Sequence, residues 1–442
     1  MAGEWGEVCL GDLFKVKHGF AFKGEHFTDE IQQTVLVTPG NFAIGGGFQD
    51  EKRKYYRGPV PDDYVLQPGQ IVVTMTDLSK QSDTLGYAAS IPNDSNIWLH
   101  NQRVGLLVFS PDFETAPRFV QYLLRSREYR AWVVGSATGT TVKHTSPGRI
   151  ESYKTRIPPP AEQRAIAHIL GTLDDKIELN RRRNQTLEAM ARALFQDWFV
   201  DFGPVRAKLE AREPYLPADL WQLFPDRLDD EGKPAGWIQQ RVTDIGSVVC
   251  GKTPSTKVPE YYGEDIPFIT IPEMHGKIFS TEIRKRLSHS GARSQAKKML
   301  PSGAICVSCI ATLGLVTITT EPSQTNQQIN SVIPAEKNET YFWYWTLKDL
   351  GHDIKAGGSG GSVLGNLSTG RFSELQVNAS TSALRLAYNS RVESMFAHIL
   401  ANECESHSLA QLRDTLLPKL ISGDLRITDA ATFMERVETL AT

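Results

Sequence analysis

Residues Ala161–Phe199 read AEQRAIAHILGTLDDKIELNRRRNQTLEAMARALFQDWF, a run without proline. Within it Ile166, Leu170, Leu173, Ile177, Asn180, Asn184, Leu187, Ala191, Leu194 and Trp198 follow one another at alternating spacings of four and three. That is the seam of a coiled coil held for more than four heptads. Pro158-Pro159-Pro160 stands before it, and the last proline suits a first helical position, where a backbone N–H is unpaired anyway. Adding 222 to each seam position gives Tyr388, Val392, Met395, Ile399, Asn402, Ser406, Leu409, Arg413, Leu416 and Leu420. The second stripe keeps the pattern, more raggedly near its C-terminal end. One such stripe fits a helix packed on its own domain. Two matching stripes with polar residues at the same central positions point to mutual pairing. Antiparallel pairing sets Asn180 opposite Ser406 and Asn184 opposite Asn402, a polar layer that fixes register at some cost in stability. Parallel pairing also matches Asn180 with Asn402, so the spacing alone leaves the orientation open.

The chain around these helices is written twice. Trp5-x4-Leu10-x-Asp12-Leu13 returns as Trp237-x4-Val242-x-Asp244-Ile245, and Val35-Leu36-Val37-Thr38-Pro39 is echoed by Phe268-Ile269-Thr270-Ile271-Pro272. Leu66–Ile71 resembles Leu300–Ile305, and His100-Asn101-Gln102-Arg103 resembles Thr325-Asn326-Gln327-Gln328. A Gly/Thr/Ser-rich loop precedes Gly148-Arg149-Ile150 in one half and Gly370-Arg371-Phe372 in the other. The matches keep one order while their offset drifts from 232 to 222. Each half opens with short apolar runs broken by Pro, Gly, Asn and Asp, the mark of a mixed, strand-rich domain. The boundaries follow: a first domain at 1–157, a central helical spacer at 158–202, a linker at 203–235, a second domain at 236–379, a distal helical spacer at 380–424 and a tail at 425–442. The linker is rich in proline and charge and has no counterpart in the second half. The tail is expected to be a short helix or disordered.

Composition narrows the function. At 442 residues, 40% hydrophobic and 22% charged, the chain has the size of two or three globular domains. No apolar run is long enough to span a bilayer, and MAGEWGEVCL lacks the succession of a secretory signal. Five scattered cysteines suit a reducing cytoplasm better than a disulfide framework. Cys306-x-x-Cys309 has no second pair to complete a zinc site and reads as buried strand. A net charge of −3 requires that any nucleic-acid binding come from local patches.

Gly246–Thr253, GSVVCGKT, fits G-x-x-x-x-G-K-[ST] at every specified position. A phosphate loop leaves a strand and opens into a helix. Arg241–Ile245 suits the strand, but Pro254 and Pro259 leave no room for the helix. In the repeat, Gly251 aligns with Gly19, Lys252 with Phe20 and Gly246 with Phe14. The glycines read as those of a shared turn. An ATP-binding coiled-coil scaffold is thereby the alternative reading and not the leading one. An adenine methyltransferase needs [ND]-P-P-[YFW], and Ile157-Pro158-Pro159-Pro160 supplies neither end. No metal helix or nucleophile elbow is present, so catalysis by this chain is not expected.

The junction IPPPAEQRAIAHILGTLDDKIELNRRRNQTLEAMARALFQDWFVDF strongly resembles the central helical region of type I restriction–modification specificity subunits. Thr415–Ile427, TLLPKLISGDLRI, resembles the distal region of the same family, and Gly251–Ser255, GKTPS, the start of one of its target-recognition domains. One departure is Asn378-Ala379-Ser380-Thr381-Ser382, which replaces the proline-rich entry and leaves the second helix's start open by a few residues. The resemblance implies an α+β protein: two mixed α/β target-recognition domains joined by two long helices that pair as an antiparallel coiled coil in a pseudo-twofold repeat. It implies a subunit without chemistry of its own that reads the two halves of a split double-stranded DNA site. Its partners would be two copies of an adenine methyltransferase and a translocase/nuclease subunit, with no membrane. Cofactors are expected in those partners only: S-adenosylmethionine, ATP and magnesium. A methyltransferase-only system is the variant of this reading. A helix of about 40 residues spans roughly 60 Å, enough to separate two readers by one to two turns of DNA at about 34–36 Å each.

Candidate DNA contacts follow from charge and glycine content. Lys52-Arg53-Lys54-Tyr55-Tyr56-Arg57 is the densest basic stretch of the first domain, with aromatics interleaved; a solvated loop is the plain alternative. Its counterparts are Arg284-Lys285-Arg286 and Lys297-Lys298. Thr140, Thr141, Lys143 and His144 occupy the place in one copy that Gly357–Gly361, with Ser359, occupies in the other, and glycine permits close backbone approach. Lys252, Thr253, Ser255 and Lys257, released from the nucleotide reading, become backbone clamps. Arg181-Arg182-Arg183 reads as a solvated or subunit-facing patch.

Overall fold

The computed structural model describes residues 4–50, 52–77, 79, 82–139, 142–310, 312–357 and 367–427, with 352–357 as backbone only. They form two compact units: one runs from Met1 to Lys176 and resumes at Leu409, and the other is Ile177–Ser408. Among the described residues no helix is long and apolar enough to cross a membrane.

The repeat in the sequence is a repeat of topology. In the first unit Gly6–Cys9 pairs antiparallel with Lys154–Ile157, so the domain closes just before the first long helix starts at Pro160. A four-stranded antiparallel sheet runs in the order Phe14–His18, Val104–Phe109, Ile71–Thr74, Ala88–Ser90. A second sheet runs Phe27–Thr28, Tyr55–Tyr56, Thr34–Val37, Ile97–His100, its last pair parallel. In the second unit Ile238–Arg241 closes on Gln376–Ala379. Its sheets run Gly246–Cys250, Ile329–Pro334, Ile305–Ser308, Val316–Ile318 and Tyr262–Gly263, Arg286–Leu287, Ile266–Ile269, Gln324–Thr325, the last pair again parallel.

The central strands are buried on both faces, which is why they read as unbroken apolar runs. Ile71 and Val73 enter one core of the first domain and Val72 the other. In the second domain Ile305 and Val307 face one core and Cys306 the other. Cys309 belongs to the first of these, so the two cysteines of the C-x-x-C stretch sit in separate cores. Burial pushes the Cys306 thiol up to about 12.

The sequence pattern understated the helices. Pro117–Leu123 and Arg127–Gly135 in the first domain, and Thr340–Gly357 in the second, are helical where strand-rich structure was expected. The aromatic run Phe342-Trp343-Tyr344-Trp345-x-Leu347 is buried at every named position, which hides helical periodicity. Arg241–Ile245 is a strand only at Arg241, which ends Ile238–Arg241: Val242–Ile245 forms a helical turn and the next strand is Gly246–Cys250. The 203–235 segment is more than a connection. It forms helices Gly203–Leu209 and Ala218–Trp221 and sinks Val205, Leu220 and Phe224 into the second domain's core.

The first long helix is Pro160–Phe195, continued by a π-helical turn, Gln196–Val200; the second is Ser382–Ser422. Their pairing is antiparallel. In the second unit Asn180 Nδ2 donates to Ser406 Oγ at 3.4 Å and to Glu405 Oε2 at 2.7 Å. Asn402 Nδ2 donates to Asn184 Oδ1 at 2.8 Å, Asn184 Nδ2 to the Ile399 carbonyl at 3.3 Å, and the Tyr388 hydroxyl to the Ala191 carbonyl at 2.9 Å. The repeat offset exchanges Asn180 with Asn402 and Asn184 with Ser406, so the Asn180–Ser406 and Asn402–Asn184 contacts exchange with each other, as a local twofold axis requires.

Ile166, Leu170, Asn180, Trp198, Tyr388, Val392, Ile399 and Leu420 are buried. Leu173, Ile177, Asn184, Leu187, Leu194, Met395, Asn402, Leu409 and Leu416 are half-buried. Phe195, Phe396, Leu417 and Ile421 widen the stripe, because the helices also pack on the domains, Phe195 and Phe396 in the second domain's core and Leu417 and Ile421 in the first's. Both readings of the stripe therefore hold at once.

The ragged seam position Arg413 has its answer in the first unit. Asp174 accepts from Arg413 Nη1 at 2.7 Å, Arg125 Nη1 at 3.0 Å and the Tyr122 hydroxyl at 2.7 Å. Burial pushes the Asp174 carboxyl upward, but Arg125 and Arg413 outweigh it and hold the group below the usual carboxylate range. Glu162 likewise joins Arg426 Nε at 2.8 Å, the Ile427 N–H at 3.2 Å and Trp5 Nε1 at 3.3 Å.

These polar contacts can be weighed by substitution. Asn184→Leu with Asn402→Leu removes donor and acceptor together and is expected to leave the melting temperature unchanged or raised. Asn402→Leu alone leaves the Asn184 carbonyl without its donor and is expected to cost about 1–2 kcal/mol. A double variant less stable than either single one contradicts the register role. Asp174→Asn takes from buried Arg125 its only ion-pair partner among the described residues, while Arg413 keeps Asp414, and is expected to cost about 3 kcal/mol near neutral pH in denaturant unfolding. A carboxylate depressed by folding contributes stability above its unfolded pKa and loses it as pH falls through the folded value. The gap between parent and variant should therefore close below about pH 4.

Candidate nucleic-acid interface

The basic stretch of the first domain leads into an inner strand of its second sheet, Tyr55–Tyr56, and strand geometry sorts its residues. Successive side chains on a strand point to opposite faces, so Tyr55 and Tyr56 cannot both meet one partner. Tyr56 is 2% exposed, packed with Phe22, Leu36 and Leu99, its hydroxyl donating to the Pro59 carbonyl at 3.4 Å. It is a core residue, contrary to its candidacy as a contact. Tyr55 is half-buried. Arg53 is bound by Asp50, with Nε at 2.8 Å from Oδ1, and this partner raises the guanidinium pKa further. Lys52, Lys54 and Arg57 are exposed. The Lys54 ammonium lies 4.4 Å from the Phe27 ring centre, and the Arg57 N–H donates to the His26 carbonyl at 3.1 Å.

Lys143–His144 forms a short strand against Thr76–Asp77, with His144 Nδ1 3.1 Å from Thr76 Oγ1. Lys143 is half-buried and His144 exposed. Thr140, Thr141, Ser359 and most of the Gly357–Gly361 loop lie outside the described residues, as does the tail beyond Ile427.

In the second domain the phosphate-loop match loses its geometry. Gly246–Cys250, which would have to wrap a phosphate, is a strand in register with Ile329–Pro334. The next helical element after Thr253 is a single 3-10 turn, Pro259–Tyr261. Gly251 is instead a close-approach glycine: a Cβ there would strike the Asn326 carbonyl, just as one at Gly19 would strike that of Asn101. The repeat alignment is borne out in space. Beyond this turn Lys252, Ser255 and Lys257 are exposed and Thr253 half-buried. The Lys252 backbone is held from both sides, its N–H on the Thr325 carbonyl at 2.9 Å and its carbonyl under Gln295 Nε2 at 2.7 Å. The Thr253 hydroxyl donates to Gln327 Oε1 at 2.6 Å.

Arg284, Lys285 and Lys297 are exposed and Lys298 half-buried. Arg286 departs from the expectation. Its Nε donates to the Glu264 carbonyl at 3.0 Å and its Nη2 to the Asp265 carbonyl at 3.2 Å, with Glu321 at 3.4 Å. That guanidinium ties a loop to its strand. Sequence reasoning treated Asn101-Gln102-Arg103 and Asn326-Gln327-Gln328 only as markers of the repeat. The structure sets both turns directly against Gly19 and Gly251, and the shared Asn-Gln pair was the signal for it.

The model of the type I restriction modification DNA specificity domain matches residues 2–189 and 234–379. The HindI type I restriction enzyme specificity subunit of Haemophilus influenzae is 38% identical over 356 residues, covering 70% of this chain and 77% of that protein. The MjaIX specificity subunit of Methanocaldococcus jannaschii is 24% identical over 321 residues, covering 70% and 69%. Among solved structures, the type I restriction–modification S subunit from M. genitalium aligns over 94% of this chain and 96% of its own, with a TM-score of 0.56 at 19% identity, a likeness of fold.

Salt dependence separates DNA-facing cations from scaffold. Lys52→Ala and Lys54→Ala are each expected to flatten the slope of log binding constant against log salt by about 0.9 for every phosphate left unneutralised. Arg286→Ala is expected to lower the melting temperature and leave that slope unchanged.

Proposed function

The chain belongs to the type I restriction–modification DNA specificity family, and from that premise we propose how its parts divide the work. Each target-recognition domain reads one half of a split, asymmetric duplex site. The helix pair sets the gap between the halves and docks two copies of an adenine methyltransferase, through which a translocase/nuclease subunit joins. S-adenosylmethionine, ATP and magnesium belong to those partners, and this chain supplies no catalytic group.

The observation that carries this reading is the duplication. One topology occurs twice with different exposed side chains before the same inner strand, Lys52 and Lys54 in one copy and Arg284 and Lys285 in the other. Two readers of one design with different lips suit two different half-sites. A local twofold between paired helices generates two equivalent faces, which suits two copies of one partner. With a net charge of −3, attraction to phosphate must come from those local lysines and arginines.

The test is a methylome. This chain is expressed with its cognate methyltransferase in a methylation-free host, and N6-methyladenine is mapped by single-molecule sequencing. A two-part motif with one methylated adenine per half, absent without this chain, is expected; methylation unchanged by its omission overturns the proposal. Recovery of the methyltransferase but no nuclease subunit in a pull-down assigns the methyltransferase-only variant. In the same assay, four residues inserted after Arg182 move one reader by about 6 Å. The gap should lengthen with both half-sites kept. A changed half-site at an unchanged gap refutes the helix as ruler.

A further inference from the structure

The two turns that join the sheets of each domain share a construction that the fold alone does not require. Asn101–Arg103 connects Ile97–His100 to Val104–Phe109, and Asn326–Gln328 connects Gln324–Thr325 to Ile329–Pro334. In both, the leading asparagine closes the turn with its own side chain: Asn101 Oδ1 accepts from the Arg103 N–H at 3.2 Å, and Asn326 Oδ1 from the Gln328 N–H at 3.1 Å. In both, the segment after the close-approach glycine clamps the turn from behind. The Phe20 N–H donates to the His100 carbonyl at 2.8 Å, and the Lys252 N–H to the Thr325 carbonyl at 2.9 Å. His100 and Thr325 beneath them are buried.

What this rigid base presents is a glutamine. Gln102 and Gln327 are both exposed. Neither side chain takes part in closing the turn, a task left to asparagine and backbone. Their neighbours differ between the copies, with His100 against Thr325, Arg103 against Gln328 and Phe20 against Lys252, yet the glutamine stands at both tips. An exposed cation stands beside each tip. Arg103 follows Gln102 directly and is exposed. Lys252 is exposed beside Gln327, and Thr253 bonds the carboxamide directly.

We propose that Gln102 and Gln327 are a matched pair of base-edge readers, one for each half of the duplex site. This rests on the specificity role proposed above. A carboxamide carries a donor and an acceptor side by side and can meet a purine edge in the major groove with two hydrogen bonds. A rigid turn holds it there without a large ordering loss on binding. The cations beside the tips, Arg103 and Lys252, meet phosphates and carry no sequence information. At the second tip the Thr253 hydroxyl already donates to Oε1, which orients the carboxamide and leaves Nε2 and the second lone pair of Oε1 for a base.

Gln102→Ala and Gln327→Ala, each assembled with the methyltransferase, are mapped by the same methylome. Gln102→Ala should relax one position of a single half-site, with discrimination there falling about 5- to 150-fold, and leave the other half untouched. Gln327→Ala should do the reverse. Gln102→Met and Gln327→Met, which keep side-chain length without the amide, should match the alanine variants, and all four should melt with the parent. Parental motifs at every position overturn the proposal, and so does a uniform loss of methylation with the motif unaltered. If the parent chain itself directs no methylation, the specificity role fails instead.

Discussion

Antiparallel register between the two long helices is the constraint on which the rest depends. An apolar seam alone would tolerate slippage by a heptad. The polar layer does not, because a shift would bury Asn180 and Asn184 against apolar side chains with their hydrogen bonds unmade. Asn180 is fully buried, and burying a carboxamide costs more than burying an apolar side chain, so the layer costs stability where it confers uniqueness. Closer to the first domain the same register is held by charge, with Arg413 drawn into the seam by Asp174.

Asp174 joins more than the helices. Through Arg125 and Tyr122 it ties the helical part of the first recognition domain to both strands of the coiled coil, and Arg125 Nε reaches on to the Gly45 carbonyl at 2.5 Å. Glu162, with Arg426 and Trp5, repeats the arrangement near the start of the first helix. The second domain adds an aromatic core to the same means. Phe195, Trp198 and Phe199 of the first helix pack with Phe342, Trp345 and Tyr388. Beside that core Lys348 pairs with Glu188 at 2.7 Å, Arg385 with Glu339 at 2.7 Å and Arg192 with Asp349. The first domain in turn takes Ile166, Leu170, Leu417 and Ile421 of the helices into its own apolar core. Each domain is held to the helix pair by apolar burial and ion pairs together.

Legibility along the chain followed the physics of each signal. The coiled coil was readable because a spacing of four and three is a geometric statement about one helix face, and its partner positions could be paired on paper. The edge strands and turns were readable through the repeat, since Gly19 and Gly251 recur opposite Asn101 and Asn326. The helix at Thr340–Gly357 was not, because a helix buried nearly all round has no polar face to reveal its period. The 203–235 segment was misjudged because proline and charge mark irregular backbone, and irregular backbone can still bury Leu220 and Phe224.

Charge runs fared worst. Lys52 to Arg57 announces a basic lip, yet Tyr56 belongs to the core and Arg53 to Asp50; Arg284 and Lys285 stay exposed while Arg286 grips two carbonyls. Residue type and spacing settle what a face can be made of: the repeat, the helix pair, its polar layer and the absence of a working phosphate loop all follow from patterns local in the chain. Which cation faces solvent, which glutamine stands at a tip and which arginine answers Asp174 depend on partners scores or hundreds of positions away. Those contacts come into being when strands and helices pack, so they belong to the fold and leave no periodic mark in the chain.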